Sequence, residues 1–312
     1  MGQKEKLWSH LKPNDLIDIV APASRCSDEE FKKGLEKLES WGYRTRVQPH
    51  IFGDDVICAQ TDQIRFQQLK KALYARDSKA VWCVRGGYGA IRLTDALMKM
   101  KKPAHTKLFV GYSDMTTIHH YLNQFWKWPT LHACMIDRLG RGNSRQEDLR
   151  ELKAVLSGEK KEVVYSDLKA MNKSAQKKLK IQSAVFGGNL MVANSTLGGP
   201  MQKPYSGIVF FEETSERGYR VDRLLTQLSL AGAFKKTKAI VFGNFIGGLE
   251  ADGRDMVTPV LERFAQEQKI PVYRGVEAGH GDLQRPVPLA TRATLHSQNG
   301  VAQLTVESGA KD

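Results

Sequence analysis

Three short stretches of the chain carry residue types suited to acyl transfer. Gly111-Tyr112-Ser113-Asp114 lies between an apolar run and a helix start. A serine at a sharp strand-to-helix turn projects its Oγ from the end of the sheet, over the free N–H groups and positive dipole end of the helix. That suits a nucleophile, although Met115 stands where a GxSxG elbow would have its second glycine. The alternative is a plain N-cap. Phe210-Phe211-Glu212-Glu213 ends an apolar run with two acids, at the rim where ligands of α/β proteins bind or at a merely solvated strand end. Gly279-His280-Gly281-Asp282 is a loop histidine whose glycine neighbours let other groups approach the ring, or a surface residue. Acyl transfer needs a nucleophile, a base and a carboxylate that holds the base's tautomer. Ser113, His280 and Glu212 are of these three types. Arg85-Gly86-Gly87-Tyr88-Gly89 is a fourth candidate. It lacks both GxGxxG and GxxxxGK[ST] spacing, which weakens a phosphate cradle; an oxyanion hole or a tight turn remains.

The elements that would position these residues alternate. Strand-like runs at 15–23, 43–51, 79–84 and 107–112 are separated by helical patterns at 27–41, 61–76 and 114–125. Ser27 with Glu30 makes a capping box. This alternation predicts an α/β fold with a parallel sheet covered on both faces. A helix at 146–156 runs into a Lys-rich stretch of low hydrophobicity. The second half mixes strands at 183–188, 207–212, 238–245 and 272–276 with helices at 219–231 and 257–268. It closes with two β runs around Asn299-Gly300, a hairpin signal. The expected division is an N-terminal α/β domain over 1–142 carrying the nucleophile, a linker region over 143–180, and a C-terminal domain over 181–312 carrying Glu212 and His280.

Composition narrows the classes. The 312 residues are 41% hydrophobic and 26% charged, ordinary globular usage, with 47 basic and 34 acidic residues for a net charge of +13. No apolar run is long enough to span a bilayer, and residues 1–8 lack the apolar core of a secretory leader. Cys26, Cys58, Cys83 and Cys134 are scattered, form no CxxC pair and read as reduced, buried thiols, so no metal site is expected. Lys169, Lys173, Lys177, Lys178 and Lys180 cluster, but no nucleic-acid-binding motif accompanies them. Neither nucleic acid nor membrane is an expected partner, and no cofactor is expected.

The chain resembles the serine LD-carboxypeptidases, the family of murein tetrapeptide carboxypeptidases and microcin-immunity peptidases. The resemblance runs from Ile19-Val20-Ala21-Pro22-Ala23 to Pro286-Val287-Pro288-Leu289. It is carried by Arg85-Gly86-Gly87-Tyr88-Gly89-Ala90, Gly111 to Asp114, Gly187-Gly188-Asn189-Leu190, Phe211-Glu212-Glu213 with Arg220 to Arg223, and Gly279 to Gly281, in that order. It implies a Rossmann-like N-terminal domain, a swivelled β-rich C-terminal domain, a Ser113–His280–Glu212 triad and a homodimer. Backbone N–H groups of Asp114 and Gly87, with Gly86 the second choice, would hold the oxyanion. Arg85, Tyr88, Asn189 and Glu213 would line the substrate pocket. Arg85, Arg220, Arg223 and Arg285 compete unranked for a terminal carboxylate, and Asn189 has a helix N-cap as its alternative.

The implied reaction is cleavage between meso-diaminopimelate and terminal D-Ala of murein tetrapeptides during cytoplasmic peptidoglycan recycling. The alternatives are a microcin-immunity-type hydrolase of peptide-nucleotide or acyl-adenylate amides, with Trp126 and Trp128 as candidate base-stacking rings, and a non-catalytic muropeptide-binding protein.

Overall fold

The computed structural model describes residues 8–311. The segment read for a leader, residues 1–7, lies outside them. Ile17-Asp-Ile-Val20, Ala80-Val-Trp-Cys83 and Leu108-Phe-Val-Gly111 are nearly continuous apolar runs, which suits strands covered on both faces. They form the middle of a six-stranded sheet in the order Val287–Leu289, Thr130–His132, Leu108–Gly111, Ala80–Cys83, Leu16–Val20, Arg44–Val47. All pairs are parallel except Val287–Leu289 against Thr130–His132. Alternate residues feed two cores. Ile17, Ile19, Trp82 and Val110 pack towards the helices Asp28–Ser40 and Ile136–Arg141; Val81, Cys83 and Phe109 pack towards Asp62–Tyr74 and Thr116–Tyr121. Ser27 and Glu30 form the expected capping box. The expected helix at 114–125 is irregular: a 3₁₀ turn Ser113–Met115, an α-helix Thr116–Tyr121 and a π turn Leu122–Trp126.

Two of the helices meet backbone to backbone. A Cβ on Gly140 would lie 1.9 Å from the carbonyl oxygen of Glu30, and one on Gly34 2.2 Å from that of Ile136. Gly140→Ala is therefore expected to cost about 1–3 kcal/mol by forcing the helices apart, read as a lower thermal midpoint. An unchanged midpoint would mean the crossing gives way freely.

The second half closes a seven-stranded barrel: Lys236–Ile246, Val272–Arg274, Glu162–Ala170, Val301–Glu307, Arg292–Gln298, Leu179–Asn189, Ser206–Thr214, and back to the first. Asn299 and Gly300 both take positive φ (50° and 76°), the two-residue turn predicted between Arg292–Gln298 and Val301–Glu307. Helices Gly218–Leu230 and Val257–Glu267 cover the outside over Val221, Leu225, Phe264 and Phe242.

The stretch read as a linker, 143–180, holds the expected helix, Gln146–Ser157, and in addition the barrel strand Glu162–Ala170. Its low hydrophobicity fits a strand that buries Val163, Tyr165 and Leu168 and turns Ser166, Asp167 and Lys169 to solvent. The lysines of the cluster are all exposed. No helix among the described residues is long and apolar enough to cross a membrane.

Candidate active site

Ser113 directly follows the strand Leu108–Gly111 and Tyr112, and its φ is +62°. A non-glycine residue there stores roughly 1–2 kcal/mol of strain, which the surrounding turn must hold. Glu212 sits near the C-terminal end of the barrel strand Ser206–Thr214 and is fully buried. His280 stands in the loop after Val272–Arg274, and its Nδ1 is 2.7 Å from Glu212 Oε2. Burial disfavours the ionised carboxylate, but the charge of His280, the neighbouring His132 imidazole and the His280 hydrogen bond together outweigh it and hold Glu212 down to about 2. Burial likewise opposes the imidazolium, yet Glu212 raises the His280 pKa above its ordinary value. With the proton on Nδ1, the other ring nitrogen is bare and can accept a proton. The Tyr112 ring, one residue before Ser113, lies 4.9 Å from the His280 ring between centroids. The six-stranded sheet and the barrel thus meet at this point. Among the described residues no hydrogen bond joins Ser113 Oγ to His280.

The glycine-rich turn packs on the serine. A Cβ on Gly86 would stand 2.7 Å from both Cβ and Oγ of Ser113 and 3.3 Å from the Asp114 nitrogen. The Gly86 carbonyl accepts the Ser24 N–H at 3.1 Å. Because the peptide is trans, the Gly87 N–H points the opposite way from that carbonyl. Gly87 has φ +84°. Asp114 is buried, and its Oδ2 accepts the Ala90 N–H at 2.8 Å, which ties the glycine turn to the serine turn. Burial pushes the Asp114 carboxyl up to about 6.

Profiles of the LD-carboxypeptidase N-terminal domain and of the LD-carboxypeptidase C-terminal domain match residues 17–133 and 182–295. The chain belongs to the LD-carboxypeptidase family. It is 31% identical over 287 residues to a putative carboxypeptidase of Rickettsia conorii, covering 92% of this chain and 89% of that one. It is 27% identical to the murein tetrapeptide carboxypeptidase of Pseudomonas aeruginosa, covering 89% and 92%. A crystal structure of muramoyltetrapeptide carboxypeptidase from Oxalobacter formigenes superposes with a TM-score of 0.78 at 27% identity, covering 94% and 98%. The microcin C7 self-immunity protein of Escherichia coli is more distant, at 23% identity over 91% and 90% of the two chains. The chain is a hydrolase of the carboxypeptidase family.

In this LD-carboxypeptidase the expected pocket residues have different surroundings. Tyr88 is exposed, and its backbone N–H donates to Ser24 Oγ at 3.1 Å. Arg85, half-exposed, reaches the Arg25 carbonyl at 3.1 Å and Asp137 at 3.9 Å. Asn189 is buried. Its Oδ1 caps the helix Leu190–Asn194 through the Val192 N–H, and its Nδ2 donates to Glu213 Oε1 at 3.0 Å. Glu213 also accepts the Thr214 and Met191 N–H groups, and burial lifts its carboxyl to about 7. Of the other arginines, Arg285 is paired with Glu151 and Glu277, while Arg220 and Arg223 are exposed beside Tyr219. Trp126 and Trp128 are buried in the core, 5.1 Å apart between centroids, and offer no exposed face for a base. All four cysteines are buried and free, and no cluster suited to a metal occurs among the described residues.

Four neighbours of the site carried no signal in the sequence. Thr116 Oγ1, at the start of the helix Thr116–Tyr121, accepts the N–H of Asn189 at the end of the barrel strand Leu179–Asn189 at 2.9 Å. Arg138 donates to the Gly281 carbonyl at 3.1 Å, beside His280. Arg65, fully buried, donates to the carbonyls of Gln60, Pro22 and Gly89 and so braces the glycine turn. His132 lies 3.9 Å from Glu212. Each sits in an ordinary helix or strand pattern. A Gly86→Ala change would drive its methyl into Ser113, and turnover is expected to fall about 100-fold through misplacement of the hydroxyl, together with a fall in melting temperature from the same overpacking. Wild-type turnover would show that the turn has room to spare.

Proposed function

We propose that this LD-carboxypeptidase is a serine-type enzyme that cleaves the bond between meso-diaminopimelate and terminal D-Ala of a murein tetrapeptide. The observation that carries the reading is the buried 2.7 Å contact of His280 Nδ1 with Glu212 Oε2, beside a serine in a strained turn. His280 takes the Ser113 proton as Oγ attacks the peptide carbonyl. The N–H groups of Asp114 and Gly87 hold the oxyanion, each donor worth about 10²–10³ in rate. His280 returns the proton to the departing D-Ala amine, and water hydrolyses the acyl-enzyme with His280 again as base. Catalytic hydrogen bonds are often long without substrate and tighten when it binds, which accommodates the unbonded Ser113.

Arg85 and Tyr88, at the exposed rim, are the proposed direct substrate contacts; Asn189 and Glu213 shape the pocket wall through their mutual bond. An N-terminal domain over 1–142 carrying the nucleophile, a C-terminal domain carrying Glu212 and His280 whose barrel takes in Glu162–Ala170, a homodimer, a cytoplasmic location and a metal-free mechanism belong to the same reading. The net charge of +13 favours approach of anionic stem peptides.

The test is incubation with disaccharide-free tetrapeptide and mass analysis. Loss of one D-Ala is the expected result. No loss, with cleavage of an aminoacyl-adenylate amide instead, would replace this reading by the microcin-immunity type.

A further inference from the structure

The Glu212 carboxylate faces two imidazoles, and the reaction above uses one of them. Oε2 holds His280. Oε1 is buried and has no hydrogen-bond partner among the described residues. Nε2 of His132 lies 3.9 Å from that oxygen. His132 is itself fully buried, and neither of its ring nitrogens is hydrogen-bonded to any described residue. A donor and an acceptor left unpaired in a dry interior cost about 1–3 kcal/mol each. One hydrogen bond between them would satisfy both, and the gap exceeds a normal N–H···O length by only about 1 Å.

The surroundings favour that bond. His132 ends the strand Thr130–His132 beside Gly111, and its ring is flanked by Phe210 at 5.3 Å and Tyr112 at 5.8 Å. Tyr112 also packs on His280. One tyrosine therefore touches both imidazoles that flank Glu212, and the next residue is Ser113.

We propose that His132 is a positioning residue that donates its Nε2–H to Glu212 Oε1 and so keeps Oε2 aimed at His280 Nδ1. The proposal rests on the serine-hydrolase reading. His132 and Ser113 belong to the six-stranded sheet and the turn that follows it, whereas Glu212 belongs to the barrel. An approach of sheet to barrel that closes the 3.9 Å gap carries Ser113 with it.

The test compares His132→Leu with His132→Gln, whose amide nitrogen reaches the place of Nε2. The readouts are the rate at which a fluorophosphonate labels Ser113, which requires no natural substrate, and kcat and KM on the tetrapeptide. The leucine variant is expected to lose about 100-fold in labelling rate and kcat, with KM within about twofold of wild type because the substrate contacts are untouched. The glutamine variant should recover most of the loss. In ¹⁵N-histidine spectra of the unaltered protein, His132 should carry its proton on Nε2 and not on Nδ1; this readout stands even if the leucine variant fails to fold. Wild-type labelling by His132→Leu, equal losses in both variants, or a proton on Nδ1 alone would each overturn the proposal. If Ser113→Ala is inert while His132→Leu behaves as wild type, this proposal alone fails. If Ser113→Ala still turns over, the serine reading itself fails.

Discussion

Ser113→Ala is expected to lower kcat on the tetrapeptide by about 10⁴–10⁶-fold, the range for removing the nucleophile from a serine triad. The fold should survive, because Ser113 is only partly buried and its side chain makes no hydrogen bond among the described residues. A companion substitution separates chemistry from strain. Ser113→Gly should be equally inactive yet at least as stable as the parent, because glycine adopts a φ of +62° without the Cβ penalty. Turnover and thermal melting of the pair check both statements. Full turnover by the alanine protein would remove Ser113 from the mechanism, and a less stable glycine protein would show that the turn is not strained.

Glu212→Gln is the second large effect. The amide keeps the shape but not the charge, and it does not enforce a proton on His280 Nδ1. A loss of about 10³–10⁴-fold in kcat is expected. The pH profile should move as well. Catalysis needs neutral His280, whose pKa Glu212 raises, so the acid limb of kcat/KM should lie above about 6.5 in the parent and shift to lower pH in the variant. A limb unmoved by the substitution would show that His280 does not titrate in it.

The same pair sets a stability window, and the signs differ for its two members. Glu212 is depressed, so its contribution is present above the unfolded carboxylate value of about 4.3 and is lost as pH falls towards about 2. His280 is raised, so its contribution is full below about 6.5 and is lost as pH rises through its folded pKa. The pair therefore stabilises most at mildly acidic pH, while activity grows as His280 deprotonates. Denaturant midpoints measured across pH in parent and Glu212→Gln would show this opposition.

Much of the scaffold is legible in the order of the residues. The capping box at Ser27, the turn at Asn299-Gly300, the alternation of strand and helix, and the serine at a strand end all depend on interactions within a few residues. Local chemistry dictates them wherever the segment sits. Asn189 marks where that legibility stops. An asparagine after two glycines suits a cap as well as a ligand contact; the cap is present through Oδ1, and a tertiary bond to Glu213, which no local pattern announces, takes up Nδ2. The Lys-rich stretch is another such place. Its scarcity of apolar residues suggests a connection, yet alternate apolar residues suffice to seal one barrel strand.

Residue type and near spacing are enough to set the α/β character, the capped helices and the presence of a hydroxyl, a carboxylate and an imidazole at element ends. Long-range packing alone settles that His280 takes Glu212 as its partner, that His132 faces the same carboxylate, that Arg138 reaches the Gly281 carbonyl, and that Val287–Leu289 crosses back to pair with Thr130–His132. These contacts join residues distant along the chain. Short apolar strands do not encode which sheet they will enter, and a buried histidine is known by its neighbours alone.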